Sequence, residues 1–257
     1  MKIPSTPKEK IPMDTESLAV SRSRELADLI QHFASKQPIE EFYTWLNEIN
    51  SLSEDFSNNK KVQEATVRAL KSAIRMFGER KAFADMLFVL DELQVLQKRY
   101  PESDSYKEDL GEAFSIAIYH LRGSWDTEGT SFLLKKLRDL IRDNSDNILL
   151  KIHYAKSYSN AINRFCSDRH NFTCDKLLFE IRMFANKNRE NEDVQYEFAQ
   201  ALTSVIGTFA RENRTEELEH ILEELRRIAG RFSESEKIQL LLTRGTILSS
   251  LVSNRNE

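Results

Sequence analysis

Apolar residues recur along this chain at a fixed long interval. Stepping by 44 from Leu46 gives Leu90, Leu134, Leu178 and Leu222. The adjacent column reads Trp45, Val89, Leu133, Leu177 and Ile221. Two further columns read Ile49, Leu93, Leu137, Ile181, Leu225 and Leu52, Leu96, Leu140, Phe184, Ile228. Positions 45, 46, 49 and 52 have helical spacing, so each copy carries an amphipathic helix, designated A. A second set of columns defines a helix B. Ile30, Ile74, Ile118, Ile162 and Ile206 form one, and Leu26, Leu70, Phe114, Tyr158 and Leu202 another. Phe33, Phe77, Leu121, Phe165 and Phe209 form a third. Small residues hold two more: Ala69, Ala113, Ser157, Ala201, Gly245 and Ala73, Ala117, Ala161, with Val205 closing the second. Such columns let a neighbouring helix approach to the 8–10 Å range of packed helices.

Polar runs punctuate the pattern, at 57–59, 101–104, 143–147, 188–191 and 233–235. Their Asp, Asn and Ser residues can accept from the free N–H groups of a starting helix. Thr215-Glu216-Glu217 and Asp126-Thr127-Glu128 also fit helix starts, where the dipole favours acids. No run alternates apolar and polar residues, so no sheet is expected. The predicted layout is all-α. One B-type helix near 18–36 precedes five A/B hairpins near 39–81, 82–124, 126–168, 171–213 and 215–253. A lone hairpin cannot bury its stripe, so stacking is required and the expected architecture is an α-solenoid with a 44-residue period. Residues 1–17, with Pro4, Pro7 and Pro12, read as a flexible tail, and 18–257 as a single domain. In the last hairpin the columns fall on Thr246, Ser250 and Ser253, while Ile247 and Leu251 sit one place off. Either the final helix slips by one residue, or its outer face is a polar cap.

These paired-helix columns resemble the α-hairpin solenoid superfamily, with its tetratricopeptide-like and HEAT-like repeats. The period is nearer HEAT lengths of ~40–47 than the ~34 of a true tetratricopeptide repeat. Asn47 follows Leu46 where that motif has Gly. The resemblance implies a protein–protein interaction scaffold with an extended groove, and no catalysis.

Composition narrows the function classes. The chain has 257 residues, with 41 acids, 37 bases and a net charge of −4. That balance gives no global attraction to nucleic acid or to an anionic membrane. No stretch approaches the ~20 apolar residues of a spanning helix. The N-terminus has no apolar core of a signal peptide, so a cytoplasmic protein is expected. Two Cys cannot build a disulfide framework. Phosphate-binding glycine patterns, H-E-x-x-H and G-x-S-x-G are all absent. No enzyme activity and no cofactor are expected.

Several residues are candidates for chemistry. Cys166, His170 and Cys174 have a metal-like spacing, with His153 or Asp168 as a fourth ligand. Against this, Cys174 shares a core column with Phe42, Met86 and Leu218, so ordinary packing is the favoured reading. His220 and Glu224 form an i,i+4 pair common on helix surfaces. Trp45 sits in a core column, and Trp125 reads as a plug or an exposed anchor. The most suggestive feature is a polar column on helix A: Asn50, Gln94, Arg138, Arg182 and Arg226. Three arginines one copy apart, with Arg142 and Arg227 nearby, offer planar forks of donors to carboxylate or phosphate. The expected partner is a protein or peptide, acidic or phosphorylated, gripped by Arg138, Arg182, Arg226, Arg142 and Arg227. A solvated face with local pairs such as Glu223–Arg226 is the bland counterpart. A nucleic-acid-binding solenoid using the same arginines is the alternative. Helix B carries its own polar column of mixed sign: Arg68, Glu112, Lys156, Gln200 and Arg244.

Overall fold

The computed structural model describes residues 14–33, 38–121, 127–167 and 171–253, with side chains outside Phe33, Ser167, Asn171, Phe172 and 251–253. Among these residues there are eleven α-helices and no strand. They are α1 (Thr15–Phe33), α2 (Ile39–Asp55), α3 (Lys60–Glu79), α4 (Phe83–Arg99), α5 (Asp104–His120), α6 (Thr127–Arg142), α7 (Ile148–Ser167), α8 (Asn171–Lys187), α9 (Glu192–Arg211), α10 (Thr215–Arg231) and α11 (Glu236–Ser253). The even-numbered helices begin at 39, 83, 127, 171 and 215, and α3 onward in the odd set at 60, 104, 148, 192 and 236. Only α1 departs from the expected bounds. It starts inside the stretch read as tail, where Asp14 Oδ1 accepts from Ser17 N at 2.6 Å and caps it.

Chain contacts divide into two compact units, 1–76 and 77–257. In the first, α1 packs on α2, and Arg22 of α1 clasps Glu48 of α2 at 2.6 Å. Its core is Leu26, Ile30, Phe42, Leu46, Ile49, Leu70 and Ile74, all buried. In the second, each A helix packs on its B partner, and the B helices pack on one another: α5 on α7, α7 on α9, α9 on α11. Leu90, Leu134, Leu178 and Leu222 are buried, as are Leu93, Leu137, Ile181 and Leu225. So are the small columns of helix B, Ala113, Ser157, Ala201 and Ala117, Ala161, Val205. Trp45 is half-buried, because an indole is too large for full cover where Val and Leu fit.

The turns repeat their chemistry. From A to B, Asn147 Oδ1 accepts from Leu150 N at 2.9 Å and Asn191 Oδ1 from Val194 N at 3.0 Å. Asn59 Oδ1 accepts in the same way from Val62 N at 3.3 Å, and also from Lys61 N at 3.1 Å. A glutamine then staples three of these turns. Gln63 Nε2 donates to Ser53 O and Phe56 O, Gln195 to Ala185 O and Asn188 O, and Gln239 to Ala229 O and Phe232 O. From B to A, Lys81 and Asn213 adopt positive φ, 59° and 56°. Ala82 N and Arg214 N then reach back to Phe77 O and Phe209 O, closing the helix end in a left-handed cap.

The final helix keeps its register. Gly245 is buried in the small column, where a Cβ would lie 2.9 Å from Leu225 Cδ2 and 3.1 Å from Ile206 Cδ1. Thr246, Ser250 and Ile247 are all exposed. The one-residue slip is therefore excluded, and the exposed positions of α11 mix Thr246 and Ser250 with Leu240 and Ile247. No helix among the described residues is long and apolar enough to cross a membrane.

Candidate binding groove

The arginine column on the A helices is committed to internal partners. Arg138 Nη2 donates to Glu180 Oε2 of α8 and to the Tyr158 hydroxyl of α7, both at 2.6 Å. The Tyr158 hydroxyl in turn donates to Glu180 Oε2 at 2.6 Å and accepts from Tyr154 at 3.2 Å. Burial pushes the Tyr158 phenol well above its ordinary range, and its neighbours Tyr154 and Glu180 add to that, so it stays a donor. Arg182 makes a two-pronged pair with Glu224 of α10, Nε to Oε1 and Nη2 to Oε2 at 2.8 Å each. One copy earlier, Lys136 Nζ reaches Gln94 Oε1 at 3.0 Å and Asp91 Oδ1 at 3.1 Å. The Gln94–Lys136, Arg138–Glu180 and Arg182–Glu224 contacts each join position n on one A helix to n+42 on the next, and Asp91–Lys136 spans 45.

The last rung differs. Arg226 has Glu223 at 3.6 Å, and Arg227 has the same carboxylate at 3.8 Å; their side chains are 55% and 69% exposed. Arg142 pairs with Asp139 and Asp143 on its own helix end. The expected Glu223–Arg226 pair is thus present. The His220–Glu224 pair is not, since Glu224 is held by Arg182.

Signals for this network were present in the sequence. A tyrosine stood in the leucine–phenylalanine column at 158, and a buried tyrosine needs a hydroxyl partner. Glutamates at 180 and 224 stood two positions before the arginines of their own copies.

The cysteines correct the packing reading. Cys166, at the end of α7, and Cys174, in the first turn of α8, are joined by a disulfide, with Cα atoms 5.7 Å apart. The end of α7 and the first turn of α8 bring both buried sulfurs within bonding reach. His170 and Asp168 lie outside the described residues, as does Trp125. Among the described residues no group of three or more His, Cys, Asp or Glu is placed to hold a metal ion.

A recess with polar walls lies on the B helices. A groove of about 580 Å³ runs across α7, α9 and α11. Asn160 and Asn163 line it from α7, Gln200, Ser204 and Arg211 from α9, and Arg244 from α11. Gln200 and Arg244 belong to the polar B column seen in the sequence. Gly207 lines the groove without a side chain; a Cβ there would meet only Leu248 Cδ1, at 3.7 Å. At its C-terminal end Thr208 Oγ1 donates to Cys166 O at 3.0 Å, capping α7, and Arg211 Nη2 donates to Thr208 Oγ1 at 3.1 Å. Near the other end of the same helices Glu197 is buried. Desolvation pushes its carboxyl up to about 7, Asp193 adds to the rise, and Lys156 and Lys237 oppose it.

Apolar side chains stand exposed on the A helices: Phe88 of α4, Phe132 of α6 and Phe179 of α8, each more than half exposed. No family model, no curated protein and no solved structure matches this chain.

Proposed function

We propose that this chain is a non-enzymatic adaptor that holds a protein or peptide segment on a helical-repeat surface, in the cytoplasm. The repeat reading is an α-solenoid of five A/B hairpins with a leading helix. Its support is the recurrence of helix starts at 44-residue steps and the burial of the apolar columns. The observation that carries the binding reading is the groove across α7, α9 and α11. Its walls are side chains on three packed helices, so its shape is set before any ligand arrives, which lowers the ordering cost of binding. Its amides and hydroxyls match the alternating donors and acceptors of an extended main chain. The exposed phenylalanines of the A helices add a second surface of the kind that meets other proteins.

The arginine column enters this reading only at its end. Arg138 and Arg182 already hold carboxylates, so an acidic partner would have to displace Glu180 or Glu224. Arg226 and Arg227 share one carboxylate and are the rungs best able to exchange it for a ligand's. The nucleic-acid alternative has correspondingly less support, because it needs the whole column free. The cytoplasmic part of the proposal meets one opposing feature, the Cys166–Cys174 bridge, which favours an oxidising compartment.

A displayed random-peptide library tests the binding reading. The intact chain should enrich a defined peptide class, and Gly207→Leu, which narrows the groove, should weaken its capture while keeping the helical signal. Enrichment undiminished by the narrowed groove would move the site elsewhere, and no enrichment at all would end the adaptor reading.

A further inference from the structure

We propose that the groove across α7, α9 and α11 is an oxyanion site, in which Arg211 and Arg244 receive a carboxylate or phosphoryl group carried by the bound segment. The carrier rests on the adaptor reading above; the anion site is testable without it.

Charge segregation is the first argument. The chain has more acids than bases, 41 against 37. Yet the described residues that line the groove include two arginines and no Asp or Glu. Chance placement on a surface of mixed sign would put acids beside those cations. A recess of single sign concentrates counter-charge from solution.

The second argument is the state of the guanidinium groups. On the A helices Arg138 and Arg182 spend their donors on Glu180 and Glu224. In the groove the pattern is reversed. Arg211 touches only the neutral Thr208 hydroxyl, and Arg244 has no hydrogen-bond or ion-pair partner among the described residues. Asn160, which lines the same groove from α7, is also without a hydrogen-bond partner among them. Three donor groups thus line one recess, and none of them is held by a carboxylate of the described residues. A planar guanidinium fork matches the oxygen spacing of carboxylate and phosphate alike.

The third argument is rigidity. Arg211 and Arg244 project from α9 and α11, which pack directly on each other, and Asn160 from α7, which packs on α9. The packed helices hold the backbone positions of these side chains in place before the anion arrives.

The test uses the intact chain. Inorganic phosphate and citrate are titrated at constant ionic strength, with chloride as the balance, and binding is read by calorimetry. The wild type should show saturable binding of at least one of the two anions. Arg211→Gln and Arg244→Gln should each raise its midpoint concentration roughly tenfold or more, the loss expected for a charge-assisted pair. Gly207→Leu should weaken binding. Arg68→Gln, on α3 and outside the groove, where Arg68 already holds Asp28, should leave it unchanged. The two sources separate in a competition: a phosphoserine peptide displaces bound phosphate if the site is built for phosphoryl groups, and its glutamate counterpart does so if it is built for carboxylates. Equal midpoints in wild type and groove variants overturn the proposal, as does a response that follows ionic strength alone. If peptides are captured but Arg211→Gln and Arg244→Gln do not weaken them, the anion site fails while the adaptor stands. If phosphate or citrate binds as described but no peptide is captured, the adaptor fails while the anion site stands.

Discussion

At Gly78 a Cβ would fall within the His120 ring, whereas at Gly207 it would meet one methyl at ordinary contact distance. Neither glycine has positive φ. The two positions therefore predict opposite signs for the same substitution. Gly78→Ala should destabilise by about 1–3 kcal/mol, because the histidine must leave a packed site. Gly207→Ala should stabilise by about 0.4–1 kcal/mol, since alanine restricts the unfolded chain and fits the helix. Urea unfolding of both variants checks this, and matching signs would overturn the packing described for the two sites. Glu197 makes a second residue-scale prediction. Its folded-state carboxyl titrates near 7, above the 4.5 of a free glutamate, so the native state holds the proton more tightly. The stability this contributes is full below the free value and is lost as pH rises through about 7. Glu197→Gln should therefore change the melting temperature little near pH 4–5 and raise it by several degrees near pH 8. An equal shift at both pH values would remove Glu197 as the cause.

Helices are the scale at which the sequence is most informative. Five A helices and six B helices lie within a few residues of their expected bounds, because apolar spacing and Asn or Ser caps are both written locally. Gly245 shows how far that goes: its place in the small column fixes the register of α11 where the larger apolar residues mislead. The glutamine staple was not legible. A glutamine at 63, 195 and 239 looks like any polar residue until two carbonyls ten and seven positions earlier turn toward it. Gln195→Leu should cost about 1 kcal/mol, since Ala185 O and Asn188 O lose the side-chain donor and keep only the backbone N–H groups of Asn188 and Asn191. Denaturant unfolding measures the loss; a neutral outcome would mean the turn holds itself without the side chain.

Across the molecule, the site was harder to read than the helices that carry it. The arginine column was visible as a periodic row, but its partners were not, because Arg138 and Glu180 are 42 residues apart and meet only once α6 and α8 lie alongside. The groove was less visible still. Its lining residues are unremarkable singly, and Gln200 and Arg244 appeared only as members of a row of mixed sign. What makes them a recess is the packing of α7 on α9 and of α9 on α11, whose surface shape periodicity does not report.

The two rows of helices in residues 77–257 are fastened by different means. The B row is joined by small apolar faces, and the A row by ionic rungs from Lys136 to Asp91, Arg138 to Glu180 and Arg182 to Glu224. Dissolved salt weakens partly exposed charge pairs and leaves oily contacts in place. The structure is therefore a leaf spring with one stiff ply and one that brine can soften: as the surrounding electrolyte thickens, the helices of the A row gain freedom to fan apart while those of the B row stay clasped.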